Sequence, residues 1–373
     1  EAEANVTLTS NKSVFSVVLA DDSWLSYTIS GTIVTFKAKS KNTTGNIRTT
    51  IATITAGTGA AAKAVEVTVN QNVAAEGDAS LELSTNAVTI TPDAVAKSEV
   101  ITMISDETEF AINITDESWV KAYVDVTSKT LYFWTLSPNL NSSSRVTTAT
   151  VTAGSGANAP KQEVTITQRG LLSSEFAVGQ VIADNGSLKG GIVFWVDATN
   201  RGKAKIMSLD RENLAWSTAG SPASTGLTLS NDNGLANTTA LAALPNAAEM
   251  PALKYCMDKG SGWYWPTRSD LEQMFETYNG TKVADATEDN PNAITDFEKA
   301  NRAAWDLIVT NVGGTAMNTA AASSTGDSYW ASRETSSGTN AFYVRFGKPL
   351  AWDKANGKKS GARYIRAVRS ISK

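Results

Sequence analysis

The chain has 373 residues, 42% of them hydrophobic, and a formal net charge of −4. That is enough chain for two or three domains with sizeable cores, and too little positive charge for a nucleic-acid partner. It has no histidine and one cysteine, Cys256, so imidazole chemistry, an intramolecular disulfide and a thiolate metal cluster are all excluded. No apolar run reaches bilayer-spanning length and no signal peptide remains at Glu1. The first half is rich in Thr, Ser, Val, Ala and Asn and poor in charge, a composition typical of exported all-β modules. The expected location is the cell surface, the outer membrane or the extracellular space.

The first 170 residues contain a repeat. DDSWLSYTISG from Asp21 matches DESWVKAYVDV from Asp116, and RTTIATITAGTG from Arg48 matches RVTTATVTAGSG from Arg145. Trp24 and Trp119 lie 95 residues apart, whereas Arg48/Arg145, Gly57/Gly154 and Gln71/Gln168 lie 97 apart. Two residues have therefore been added between the Trp and the Arg, and a longer loop at Ser137–Ser144 is expected to hold them. AVEVTVNQ and EVTITQ alternate with strand period, and the Ala-Gly-Thr-Gly and Ala-Gly-Ser-Gly pieces read as hairpin turns. Six or seven such strands make a sandwich, so residues 1–76 and 77–170 are read as two tandem immunoglobulin-like sandwiches.

Ser80–Glu99 precedes the matched region of the second copy, but the first copy begins almost at once with NVTLTS. The first sandwich is therefore expected to lack its first strand and to expose an edge. Either the natural chain extends upstream of Glu1, where a lipid anchor is expected, or the first domain is genuinely shorter. One Trp per copy at a fixed place makes Trp24 and Trp119 core residues. Trp134 has no counterpart, because LYFWTL matches VTFKAK, and a buried or an exposed ring is equally open there.

The Ser-Trp-Leu/Val pattern, the later Arg and the final strand ending VTVNQN or VTITQRG resemble the BACON family of Bacteroidetes-associated immunoglobulin-like domains. That resemblance implies a surface protein handling polysaccharide, with the sandwiches acting as spacers or as direct sugar binders.

From Leu171 the texture changes, and seven of the ten tryptophans lie beyond it. GGIVFWVD is a buried-type strand with KAKIMSL as its hairpin partner. Three helices are expected. One runs from Pro251 to Lys259, with Pro in its first turn and Gly260 after its end. The second starts on a capping box, Thr267 with Asp270 or Ser269 with Glu272, and buries Leu271, Met274, Phe275 and Tyr278 as one stripe. The third is capped by Thr295 with Glu298, buries Phe297, Ala304, Trp305 and Ile308, and stops at Gly313-Gly314. Strands return in SYWASRE, AFYVRFG and RYIRAVRS, which makes residues 171–373 an α+β domain.

GGIVFWVD, WYWPTRSDLEQM, YWASRE, AFYVRF and YIRAVRSI together resemble the Lcl-type C-terminal adhesin family. The resemblance implies a C-type-lectin-like fold and an adhesive role that includes sulfated glycans. This chain departs from the family pattern at Trp265 and in the stretch Tyr329–Glu334, where YWASRE stands in place of YWSSTE.

In the extended WYW segment Trp263 and Trp265 point the same way. Trp263 is assigned to the core, and Trp265 is the candidate exposed ring for stacking on a sugar. Arg333 and Glu334 would contact the same ligand. Tyr343–Lys373 carries nine basic residues and one acid, Asp353. Its arginines fit a strand pairing with internal carboxylates. Trp352, Lys354, Lys358 and Lys359 read either as a soluble hairpin tip or as a surface for sulfate or carboxylate groups. Asn231, Asp232 and Asn233 offer short-spaced oxygens for Ca²⁺, although such Asn/Asp/Gly clusters are mostly turns. No other cofactor is implied. Paired carboxylates at glycosidase separation are not placed by the sequence, so no enzyme is expected.

The expected fold is thus multidomain, with two immunoglobulin-like sandwiches followed by an α+β C-type-lectin-like domain. The expected function is glycan binding or adhesion at the cell surface. The alternatives are a structural or protein-binding subunit of a surface assembly, and an unrecognised carbohydrate-active enzyme.

Overall fold

The computed structural model describes the chain except residues 1–2, 43, 45, 74–79, 157–158, 185–189, 220–223, 282–294, 319–326 and 347–355, and the side chain of residue 356. The chain divides into two compact units, Glu1–Ser80 with Gly154–Pro160, and Leu81–Ala153 with Lys161–Lys373.

The first unit is a β-sandwich of six strands: β1 (Glu3–Thr7), β2 (Phe15–Leu19), β3 (Leu25–Ser30), β4 (Ile33–Ala38), β5 (Arg48–Ala56) and β6 (Lys63–Gln71). They form two three-stranded sheets, β1-β4-β3 and β2-β5-β6. Alternation along β4 and β5 turns Val34, Phe36, Ala52 and Ile54 inward against Trp24, Leu25 and Val17, so one core joins both sheets.

In the second unit, the repeat occupies β7 (Glu82–Leu83), β8 (Ala87–Ile90), β9 (Ile101–Ile104), β10 (Phe110–Ile114), β11 (Val120–Asp125), β12 (Thr130–Thr135), β13 (Arg145–Ala153) and β14 (Lys161–Gln168). The sheets are β10-β13-β14-β8 and β11-β12-β9-β7. Both copies use the same loop device. Asp21 Oδ1 accepts from Ser23 N and Asp116 Oδ1 from Ser118 N, each at 2.9 Å. Trp24 and Trp119 are both buried in their cores.

The added pair of residues is not in Ser137–Ser144. Nine residues separate Ala38 from Arg48, and nine separate Thr135 from Arg145. The β3–β4 turn is Gly31-Thr32, but β11 and β12 are joined by Val126–Lys129. The insertion sits at that hairpin tip, where Asp125 Oδ1 accepts from Thr127 N and Ser128 N and Lys129 takes a positive φ.

The remainder of the second unit is α+β. Its strands are β15 (Val181–Ile182), β16 (Gly191–Val196), β17 (Lys203–Ser208), β18 (Glu212–Ala215), β19 (Trp263–Tyr264), β20 (Ser328–Glu334), β21 (Asn340–Arg345), β22 (Asn356–Lys358), β23 (Ala362–Ile365) and β24 (Val368–Ser372). They form two five-stranded sheets, β15-β16-β17-β24-β19 and β18-β23-β20-β21-β22. The helices are α1 (Gly234–Ala242), α2 (Pro251–Met257), α3 (Arg268–Asn279) and α4 (Asp296–Asn311). Capping boxes Thr267/Asp270 and Thr295/Glu298 start α3 and α4, and Gly280 ends α3 in the left-handed conformation. Leu271, Met274, Phe275 and Tyr278 form the buried stripe of α3.

Helix α1 is the element that the sequence pattern hides, because SNDNG reads as a turn. Asn233 is its N-cap, accepting from Ala236 N. At Gly234 a Cβ would meet Tyr264 Cδ2 at 2.4 Å, so only glycine lets α1 approach the WYW segment this closely.

The second sandwich and the α+β part share packed side chains. Phe297 of α4 lies edge-on to Trp134, Tyr132 and Tyr123, with centroid distances of 5.3, 5.5 and 6.1 Å. Lys97 Nζ sits 4.1 Å from the Phe297 centroid. Arg201 bridges to Asp93 at 2.6 Å, and Asp93 Oδ1 also accepts from Val178 N at 2.8 Å. Trp134 is therefore buried, which settles the choice left open for its ring. The first copy has Thr28, Thr35 and Lys37 where the second has Tyr123, Tyr132 and Trp134. At these three positions, where the repeats diverge, the second copy meets Phe297 of α4.

Candidate functional site

The structure separates the residues that the sequence grouped as a ligand site. Trp265 is fully buried, a correction to the exposed ring expected of it. Its indole Nε1 donates to Trp330 O at 3.2 Å, its ring lies 4.9 Å from that of Trp216, and its amide donates to Thr238 Oγ1 of α1. The helix missed in the sequence thus holds its backbone, while Trp216 and the Trp330 carbonyl meet its ring. Trp263 is buried as expected.

Glu334 and Lys359 are also internal. Lys359 is 1% exposed and its Nζ lies 2.5 Å from Glu334 Oε2 and 4.4 Å from the Trp216 ring. Glu334 Oε1 further accepts from Ser224 Oγ and Thr225 Oγ1. Burial works against its ionised form, but the bonds from Lys359 and Thr225 outweigh this and hold the carboxyl below its usual range. Lys359 thus belongs to an internal ion pair and corrects the reading of an exposed basic tip. Lys358 is exposed, while Trp352 and Lys354 lie outside the described residues.

Arg333 does stand at a polar surface. Its Nη1 donates to Asn231 Oδ1 at 2.7 Å. Asp232 Oδ1 accepts from Ser269 Oγ, and Asn233 Oδ1 caps α1. The three oxygens proposed for Ca²⁺ thus serve a guanidinium, a hydroxyl and a helix start. Among the described residues no group of three or more Asp, Glu or Cys side chains gathers to hold a metal. The arginines of RYIRAVR pair differently than expected. Arg366 is fully buried and donates to the carbonyls of Ser208 and Leu209 rather than to carboxylates, and Arg363 stacks 3.8 Å from the Tyr343 centroid.

A different ring is left at a surface. β16 and β17 lose register between Val193 and Trp195, so Phe194 is the extra residue of a bulge. Phe194 stays in the core and Trp195 is carried to the edge of it, half-buried. A cross-strand row Trp195–Lys205–Ser370 follows, with Lys203–Ser372 beside it. Lys205 Nζ lies 5.3 Å from the Trp195 centroid and is anchored on Asp270 Oδ1 at 2.6 Å and Gln273 Oε1 at 2.9 Å. Lys203, Ser370 and Ser372 are exposed. Asp197 completes the rim, its carboxyl held below the usual range by the side-chain and backbone hydrogen bonds of Thr199. Together they line a shallow pocket of about 310 Å³. The run GIVFWV shows no alternation, which is why its bulge, and hence the exposure of Trp195, could not be read from sequence.

No family model and no curated protein matches the chain. Solved structures similar to it include the human desmocollin-1 ectodomain, with a TM-score of 0.27 and 9% identity over 47% of this chain. Mouse cadherin-23 EC22-24 has a TM-score of 0.25 and 14% identity over 42% of this chain, and mouse clustered PcdhgC3 EC1-3 has 0.23 and 11% over 45%. The chain spans 37%, 54% and 62% of those three structures respectively. Among the described residues no helix is long and apolar enough to cross a membrane.

Proposed function

We propose that the protein is a surface glycan-binding or adhesion module whose saccharide site is the Trp195 pocket. This reading takes the sandwiches as BACON-like spacers and the α+β part as an Lcl-type, C-type-lectin-like tip. The observation that carries it is the half-buried Trp195 ring bordered by the exposed Lys203, Ser370 and Ser372.

An indole face offers the apolar surface on which the CH-rich side of a pyranose stacks. Lys205, already tied to Asp270 and Gln273, supplies a fixed positive charge over the ring. Lys203 supplies a mobile one suited to a sulfate or carboxylate, and the serine hydroxyls bond sugar oxygens. The pocket is small and open to solvent, so single contacts are weak and adhesion depends on many copies acting together.

The test is a glycan array probed with the full chain, the Trp195→Ala variant and the Lys203→Glu variant at low and physiological salt. The expected result is salt-sensitive binding to sulfated or uronic-acid glycans that both variants lose. Lys203 is exposed, so its substitution leaves the fold intact. Binding retained by both variants, or no binding by a folded wild-type chain, would refute the proposal.

A further inference from the structure

The sheet β18-β23-β20-β21-β22 turns Trp330, Tyr343 and Ile365 toward the core on one face, and that face ends in a polar row. In the β20–β21 ladder Ser328 lies opposite Arg345, one step beyond the pair Trp330–Tyr343 on the same face. In the parallel β20–β23 ladder Tyr329 lies opposite Tyr364, so one residue back Ser328 is level with Arg363. Alternation puts Arg363, Ser328 and Arg345 on the side that carries Trp330 and Tyr343. Two arginines thus flank a serine on three neighbouring strands, about 10 Å apart at the backbone.

Among the described residues, none of these three half-buried side chains has a hydrogen-bond or ion-pair partner. The Arg363 guanidinium lies 3.8 Å from the Tyr343 centroid and 4.8 Å from that of Trp330, and its Nε is buried without an acceptor. A Cβ at Gly357 would meet its Nη2 at 2.4 Å, so glycine there leaves room for the fork. Burial lowers the pKa of this guanidinium, Tyr343 opposes that and Arg345 adds to it, and no carboxylate takes part. Other buried arginines of the same part are matched. Arg211 meets Asp327 at 2.7 Å, and Arg366 donates to the carbonyls of Ser208 and Leu209. Two neighbouring cations and a hydroxyl, all without partners among the described residues, point to an anion from outside.

We propose that this row binds a dianionic phosphate group, with Arg363 and Arg345 donating to its oxygens from either side and the Ser328 hydroxyl donating between them. Two unbalanced positive charges are neutralised by one phosphate monoester at neutral pH, whereas a sulfate monoester or a carboxylate brings a single negative charge. Stacking on Tyr343 holds the Arg363 fork in place before the ligand arrives, so little rotamer freedom is lost on binding. The row stands on a different sheet from the Trp195 pocket, so the two sites stand or fall separately.

The test is isothermal titration calorimetry of the full chain with inorganic phosphate, glucose 6-phosphate and glucose 6-sulfate, at about pH 8 and about pH 5.5. The expected result is one-to-one binding of the phosphates that strengthens with pH, because their second proton leaves near pH 6 while both arginines stay charged. Tighter binding of inorganic phosphate would make the ligand the free ion, and tighter binding of glucose 6-phosphate would make it an ester; either supports the site. Glucose 6-sulfate should bind at least about 10-fold more weakly at the higher pH. Arg345→Gln removes a half-buried side chain with no partner to lose, so it should fold and weaken phosphate binding at least about 10-fold. Arg363→Lys keeps the charge but not the planar fork and should weaken it as well, with Arg345→Gln deciding the matter if that chain does not fold. Lys203→Glu, at the Trp195 pocket, should leave it unchanged. No binding by a folded chain, equal binding of phosphate and sulfate esters, or binding that Arg345→Gln does not weaken would overturn the proposal.

Discussion

Replacing Phe297 by alanine should separate the second sandwich from the α+β part it is packed against. The ring is 4% exposed and touches Trp134, Tyr132 and Tyr123 at centroid distances of 5.3 to 6.1 Å, with Lys97 Nζ 4.1 Å above it. Truncating a buried Phe costs about 3–5 kcal/mol in transfer and cavity terms. The cation–π contact adds about 0.5–2 kcal/mol when desolvated. Nothing small can refill the space, because Trp134, Tyr132 and Tyr123 are fixed in sheet ladders. Differential scanning calorimetry of the full chain should show the transition of the second unit falling by roughly 5–15 °C. It should also broaden or split as the sandwich and the α+β part lose cooperativity. The control is Leu307→Ala on the same helix, where the side chain is 59% exposed and the change should stay within about 0.5 kcal/mol. A Phe297→Ala transition that matches the control would refute the claim that this cluster binds the two parts together.

Two further substitutions probe buried charge. Lys359→Met strips the ammonium from Glu334 in a site where both side chains are almost wholly buried, and should cost roughly 3 kcal/mol in urea unfolding at pH 7. Because the Glu334 carboxyl is held low, the stability it contributes is present above its ordinary range and is lost as pH falls through its folded value. Asp306 behaves oppositely. Burial raises its carboxyl from 3.8 to about 6, against the bond from Met317 N at 2.7 Å. Between those values the folded chain keeps a proton that the unfolded chain has released. Its contribution is therefore full below about pH 4 and disappears as pH rises to about 6. Asp306→Asn should flatten this fall, on the order of 2 kcal/mol, in denaturant midpoints measured from pH 4 to 7.

What the sequence made legible was local. Both capping boxes, the stripe of α3, the alternation of β5, β6, β13 and β14 and the core places of Trp24, Trp119 and Trp263 follow from period and cap chemistry, and the structure has them. What it concealed depends on tertiary neighbours. Asn233 caps a helix whose Gly234 lies against Tyr264, and Trp265 is enclosed by Trp216 and the Trp330 carbonyl, neither of which its own sequence neighbourhood announces. Trp134 is buried by Phe297, which is distant in sequence, although its absence from the first copy was the clue. The hairpin insertion at Val126–Lys129 was misplaced because Ser137–Ser144 looks more loop-like by composition, while spacing alone cannot choose between two turns. Trp195 was missed for a third reason. A one-residue bulge inside a continuous apolar run changes a side chain's direction without changing the composition.

The central claim is that Trp195 is the ring that meets a saccharide. The most direct measurement is a titration of the ¹⁵N-labelled full chain with a sulfated oligosaccharide, following the indole N–H resonances of its ten tryptophans, with Trp195→Ala used to assign the responding peak. The account predicts that the Trp195 indole moves in a saturable, salt-dependent way while the buried Trp216, Trp263, Trp265, Trp305 and Trp330 stay in place. Saturable shifts confined to other indoles, or none at all across neutral and acidic oligosaccharides, would contradict it.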